Sequence, residues 1–184
     1  MNPKRTGNNF EREIAKRLSL WVSENKSDDL FWRDLSSGAR ATTRKKQNKE
    51  TINDGDLVAV DLNYKWFTDL FYIDTKSYKE CNFNFTNTKN QKSNGILNQW
   101  KKVCSDCPDK KIPMMICKIR DRKTPDFIML PTYFLFEKCT EMNFQLVSFS
   151  KKNEYSGLDF SFVDLDNFFE TTNANTVYAL NFKK

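Results

Sequence analysis

Residues 70–76 read Leu70-Phe71-Tyr72-Ile73-Asp74-Thr75-Lys76, an apolar run that ends on a carboxylate and an ammonium two positions apart. Alternation along a strand puts Asp74 and Lys76 on one face, and Phe71, Ile73 and Thr75 on the packed one. Upstream, Gly55-Asp56 opens directly onto Leu57-Val58-Ala59-Val60, a second strand entered from a turn. Asp61-Leu62-Asn63 begins the connection, and a hairpin of suitable length joins the two strands. A further acid therefore stands one strand before the Asp74–Lys76 pair.

Working outward, residues 9 to about 24 form the clearest helix, with Phe10, Ile14, Leu18 and Val22 recurring every four residues and Trp21 beside them. With Phe10 at zero and about 100° per residue, these five fall between roughly 0° and 120°. Glu11 lands near 100°, inside the apolar stripe, whereas Glu13 lands near 300°, on the solvent side. Asn8-x-x-Glu11 also has the spacing of a capping box, which places Asn8 at the N-cap and explains Glu11 without chemistry. The two readings are compatible, because a carboxylate has several acceptor sites.

Downstream, Tyr78–Ser93 is Asn- and Lys-rich and reads as a loop. Ile96, Leu97, Trp100, Val103 and Cys104 have helical spacing, and strands follow at Ile112–Ile119 and Phe127–Leu130, the latter ended by Pro131. Short helices or turns are expected over 132–138 and 164–170, and strands near 144–149 and 176–182. Helix, strand, strand, helix, strand is an α/β order in which helices cover one mixed sheet. Neither an internal repeat nor a domain-scale linker interrupts it. One domain over 1–184 is expected, with a core over about 8–131 and a C-terminal extension over about 132–184.

Composition narrows the chemistry. The chain has no His, which excludes Ser-His-Asp triads, Cys-His nucleophiles and His-ligated zinc catalysis. Five Cys at irregular spacing read as reduced thiols, and Cys104-x-x-Cys107 without a second pair is a poor zinc site. No apolar leader follows the basic first residues and no membrane span can be drawn, so a cytoplasmic location is expected. Net charge is +6 with a pI near 9.0, and the cations cluster: Arg33, Arg40, Arg44, Lys45, Lys46 and Lys49 fall in one short stretch, and Lys118, Arg120, Arg122 and Lys123 in another. Such clusters suit a phosphate-backbone partner.

With His absent, carboxylates, Lys, Tyr, Cys and a borrowed metal remain. Two acids beside a lysine suit metal-assisted phosphodiester cleavage: Asp56 and Asp74 would hold Mg²⁺, with Mn²⁺ able to substitute, and Lys76 would face the attacking water or the phosphate. Taken alone, Asp-x-Lys is a common tripeptide and an exposed salt bridge is its ordinary meaning. The strand-end setting, the second acid and the inward Glu11 argue for the site. The Arg40–Lys49 stretch is either a solvated charge run or a phosphate grip at the mouth of that site, with Ser36, Ser37 and Gly38 offering backbone amides. Gln99 is a possible accessory on the helix after the Asp-x-Lys strand, or a surface residue.

These residues resemble a known group. Phe10-Glu11-Arg12-Glu13-Ile14 is similar to the opening helix of archaeal-type Holliday junction resolvases in the PD-(D/E)xK nuclease superfamily. Gly55-Asp56-Leu57-Val58 resembles their acidic strand, Ile73-Asp74-Thr75-Lys76 their (D/E)-x-K strand, and Ser36-Ser37-Gly38 their Ser-Gly segment. The resemblance is good over roughly the first 76 residues and rests on element order over 94–130. Gly55 stands where the superfamily has proline, and Asp74 where Glu is usual. It implies a restriction-endonuclease-like core, metal binding by Glu11, Asp56 and Asp74, and catalysis by Lys76. The expected activity is a Mg²⁺-dependent DNA endonuclease acting on branched DNA as a homodimer, since paired cuts in a junction need two sites. Alternatives are a restriction-like or nicking endonuclease on duplex DNA, and a non-catalytic DNA-binding protein of the same fold. The Asn/Lys-rich composition and small size suit a phage or mobile-element protein.

Overall fold

A computed structural model describes residues 3–34, 55–80, 95–120, 123–134, 145–148 and 157–180. Its main sheet has five strands in the order β3 (Phe71–Tyr78), β4 (Ile112–Ile119), β5 (Phe127–Pro131), β7 (Phe160–Asp164), β6 (Gln145–Val147). β3 and β4 run parallel and the other pairs antiparallel, so the sheet is mixed. The parallel pair needs a crossover, which α3 (Gly95–Asp106) supplies. Helix α1 (Pro3–Val22) covers the opposite face together with α4 (Leu165–Thr171) and α5 (Ala174–Leu180). This is the expected α/β arrangement of a mixed central sheet flanked by helices.

Pleating divides the core in two. Phe71 and Ile73 of β3, Met114 and Ile116 of β4 and Ile128 of β5 pack against Phe10, Ile14 and Leu18 of α1. Tyr72, Met115, Cys117 and Met129, one residue out of phase, pack against Ile96, Leu97, Trp100 and Val103 of α3. Helix α1 also carries a buried polar joint. Ser19 Oγ donates to the Ala15 carbonyl at 2.8 Å and accepts from the Phe31 amide at 3.1 Å. That second bond satisfies an otherwise orphaned backbone donor of β1 (Phe31–Arg33).

Several expectations need correction. The first helix begins at Pro3, so Asn8 lies inside it and no capping box forms; proline at the first turn is the better start signal. The helix ends where Glu24 and Asn25 adopt positive φ, with the Asn25 amide on the Leu20 carbonyl at 2.7 Å. No hairpin joins the two acidic segments. Strand β2 (Leu57–Ala59) pairs antiparallel with β1 in a separate two-stranded ribbon, and α2 (Lys65–Leu70) fills the connection. Phe67, Thr68 and Leu70 bury that helix, so the connection expected to be a hairpin is a packed helical turn. Residues 174–180 are helical and not a strand: Ala174 and Val177, three apart, are the buried positions, and that spacing overrides the β preference of Thr, Val and Tyr. Residues 157–180 also supply β7 and α4, so much of the segment beyond 131 builds the sheet and its covering layer.

Candidate active site

Strand β3 is the edge of the main sheet, and its free side is where the acids meet. Gly55 forms a parallel bridge to Ile73, and the Asp56 amide donates to the Ile73 carbonyl at 2.7 Å. So close an approach needs glycine. Gly55 has φ +92°, and a Cβ there would stand 2.4 Å from the Ile73 carbonyl oxygen. Proline, with φ fixed near −65°, could not adopt that conformation. Asp56 then turns its side chain onto β3: Oδ2 accepts from the Thr75 amide at 2.8 Å, filling an edge donor that no strand pairs.

Asp74 and Lys76 leave the other face of β3, beside Tyr72 and under α3. The Lys76 Nζ lies 2.7 Å from Asp74 Oδ2 and 3.8 Å from Asp56 Oδ2, and donates to the Thr75 carbonyl at 3.1 Å. One ammonium therefore sits between two carboxylates. Burial pushes the Asp74 carboxyl up to about 6; the Lys76 charge opposes this and the Asp56 charge adds to it. Burial works against the charged form of Lys76 too, but Asp74 and Asp56 outweigh it and hold its pKa above the ordinary lysine value. Two carboxyl groups thus share one ammonium in a partly desolvated place.

Gln99 of α3 is half-buried, and its Nε2 stands 3.5 Å from Asp74 Oδ2, the outer edge of hydrogen-bond range. Lys102, one turn on, is near enough for its charge to lower the Asp74 carboxyl. Glu11 has a different partner. Its Oε2 accepts from Arg33 Nε at 2.7 Å, and Arg33 Nη2 reaches Asn8 Oδ1 at 3.0 Å. Arg33 belongs to β1, whose next residue, Asp34, donates its amide to the Asp56 carbonyl at 2.7 Å, so the Glu11 pair flanks the segment carrying Asp56. Glu13 is exposed and binds Lys118 at 2.9 Å.

Among the described residues no group of three or more His, Cys, Asp or Glu is arranged to hold a metal ion. Asp56 and Asp74 bring two hard carboxylates to one lysine, and Mg²⁺ is commonly bound by one or two carboxylates, with waters and substrate oxygens completing its shell. The donor chemistry fits that ion. Ser36, Ser37, Arg40, Arg44, Lys45 and Lys46 lie outside the described residues. Among the described residues, Cys104, Cys107 and Cys117 form no disulfide; burial raises Cys104 to about 12 and Cys107 to about 11, far from the thiolate that redox chemistry needs.

A mixed sheet between helices, with an acid docked on the edge of an Asp-x-Lys strand, is the arrangement of the PD-(D/E)xK nucleases. The chain is a member of that superfamily. Within it, residues 2–179 match the family described as "Phage putative PDDEXK endonuclease", and the chain belongs to that family. No curated protein and no solved structure gives a significant match. Family membership assigns a nuclease-like function in general terms. Among the described residues, no helix is long and apolar enough to cross a membrane.

Proposed function

We propose that this chain is a metal-dependent DNA endonuclease that hydrolyses phosphodiester bonds, acting on branched DNA in the manner of a junction resolvase. The observation that carries the reading is the Lys76 ammonium set between Asp74 at 2.7 Å and Asp56 at 3.8 Å at the edge strand of the sheet. Asp56 and Asp74 would hold Mg²⁺, or Mn²⁺ in its place. The bound ion would supply an acidified water and charge stabilisation at the phosphate. Lys76 orients the nucleophile and offsets charge that develops on the phosphoryl oxygens. Thr75 fixes the Asp56 carboxylate through its amide, and Gln99 steadies that of Asp74. Glu11 serves as the auxiliary carboxylate, delivered from α1 and held meanwhile by Arg33.

The basic segment with Arg40, Arg44, Lys45 and Lys46, and the amides of Ser36 and Ser37, grip the sugar-phosphate backbone in this proposal. A homodimer provides the two sites that paired cuts require, in the cytoplasm of a bacterial, archaeal or phage-infected cell. The test is cleavage of four-way junction, flap, single-stranded and linear duplex DNA, with Mg²⁺ or Mn²⁺. Cleavage confined to the junction is expected. Equal cutting of linear duplex would favour a restriction-like or nicking enzyme, and binding without any metal-dependent cleavage would favour a DNA-binding protein that has lost turnover. Asp74→Ala or Lys76→Ala should abolish cleavage and spare DNA binding; full activity in either would end the proposal.

A further inference from the structure

Helix α3 does more than cover the sheet. Its buried stripe is Ile96, Leu97, Trp100 and Val103. Gln99 and Lys102 lie on one flank of that stripe, about 60° apart around the helix axis. Gln99 shows where the flank points, because its amide stands 3.5 Å from Asp74 Oδ2. Lys102 follows one turn later and is exposed.

Lys76, the lysine of this corner, is already engaged with Asp74. Among the described residues Lys102 makes no ion pair within 4.0 Å, although Asp106 lies four positions on along the same helix. An exposed lysine costs little to leave in water. Here, however, its charge faces a corner that holds two acids and one cation, and that requires a polyanion to approach. A free cation at the rim serves such a polymer as a point contact for one phosphate.

We propose that Lys102 is a substrate-positioning residue: it binds a backbone phosphate of the DNA strand lying in the Asp56–Asp74–Lys76 corner, making the α3 flank one wall of the strand's path. The inference rests on the nuclease reading and deepens it. The contact is to phosphate, so it carries no sequence preference. It acts on binding and not on the chemical step.

The test compares Lys102→Ala, Lys102→Glu and Lys102→Arg with wild type, and with Lys16→Ala as control, since Lys16 is already paired with Asp28 at 2.7 Å. Binding of a labelled four-way junction and of a duplex with the same arms is measured without divalent metal over a range of salt. Cleavage is measured with Mg²⁺. Lys102→Ala should weaken binding roughly fivefold, reduce the slope of log K against log salt by about 1, and raise KM while leaving kcat unchanged. Lys102→Glu should weaken binding further, and Lys102→Arg should restore both slope and KM. Wild-type cleavage together with an unchanged slope and KM in Lys102→Ala overturns this inference alone. A lowered kcat at unchanged KM also overturns it, by making Lys102 part of the chemistry. A wild-type chain that neither binds nor cuts any of these DNAs overturns the nuclease reading, and this inference with it.

Discussion

Two places in this molecule surround a lysine with acids, and they use those charges differently. At the sheet edge, Lys76 stands between Asp74 and Asp56, gathered at the middle of β3, which runs on to Tyr78 and so does not end on the Asp-x-Lys pair as its apolar run suggests. On the opposite face, Lys118 binds Glu13 at 2.9 Å and Asp126 at 3.9 Å, while Arg17 reaches Asp126 at 3.0 Å and Asp166 at 2.5 Å. That second group joins α1, β4, the approach to β5 and α4, and each acid has a cation at hydrogen-bond distance. It fastens layers together. The first group fastens little: all its members sit at one sheet edge, and one ammonium is shared by two carboxylates. Charges that bridge distant elements read as structure; carboxylates gathered at one edge, one of them 3.8 Å from the ammonium they share, read as a site.

The largest test of the contrast is to remove each lysine. Lys76→Ala should cut the cleavage rate by about a thousandfold or more. Lys118→Ala should leave kcat within about twofold and cost only about 1 kcal/mol in a urea titration, as expected for a partly exposed pair. Next comes Gly55→Ala. Its Cβ would meet the Ile73 carbonyl, so the Asp56 segment must lift away from β3. A loss of about 2 kcal/mol is expected, with cleavage falling further than the folded fraction does. Arg17→Ala strands the half-buried Asp126 and should destabilise the chain by about 2 kcal/mol. Its remaining folded molecules should cleave normally; impaired cleavage per folded molecule would merge the two regions into one functional unit.

The smallest expected effect is a dependence on pH. The Asp74 carboxyl is raised from 3.8 to about 6, so between those values the folded chain holds a proton that the unfolded chain has released. The contribution of Asp74 to folding stability is therefore full below about pH 4 and is lost as pH rises through about 6. Cation binding runs the other way, because only the ionised carboxylate is a ligand. Mg²⁺ should raise the melting temperature more at pH 8 than at pH 5, measured by calorimetry without substrate. Equal stabilisation at both would place the ion elsewhere.

The sequence displays some of this plainly. The α1 and α3 stripes follow helical spacing, and both helices contain those stripes, although α1 starts at Pro3, before its apolar stripe shows it. The Asp74–Lys76 alternation is visible because a strand has period two. The way Asp56 reaches them is not visible: a single bridge at Gly55 and a carboxylate bound to an edge amide leave no periodic trace. Nor is the inward Glu11 explained by its helical angle alone. Its partner, Arg33, is 22 residues away in the chain, on a three-residue ribbon strand too short to announce itself. Strand β7 is hidden differently, because its place between β5 and β6 depends on pairings with residues remote in sequence. Residues 176–182 mislead because Thr, Val and Tyr favour strands locally, while burial of Ala174 and Val177 decides the outcome.

The indole of Trp21 donates to the carbonyl of Thr172 at 2.9 Å, across 151 positions of chain. During synthesis, that bond and the β5–β7 pairing must wait until residues beyond 160 have left the ribosome, and until then the middle of the sheet is an open edge. Translation thus sets a delay before the sheet can close, and a transcript cut short before that point yields a chain with an exposed strand.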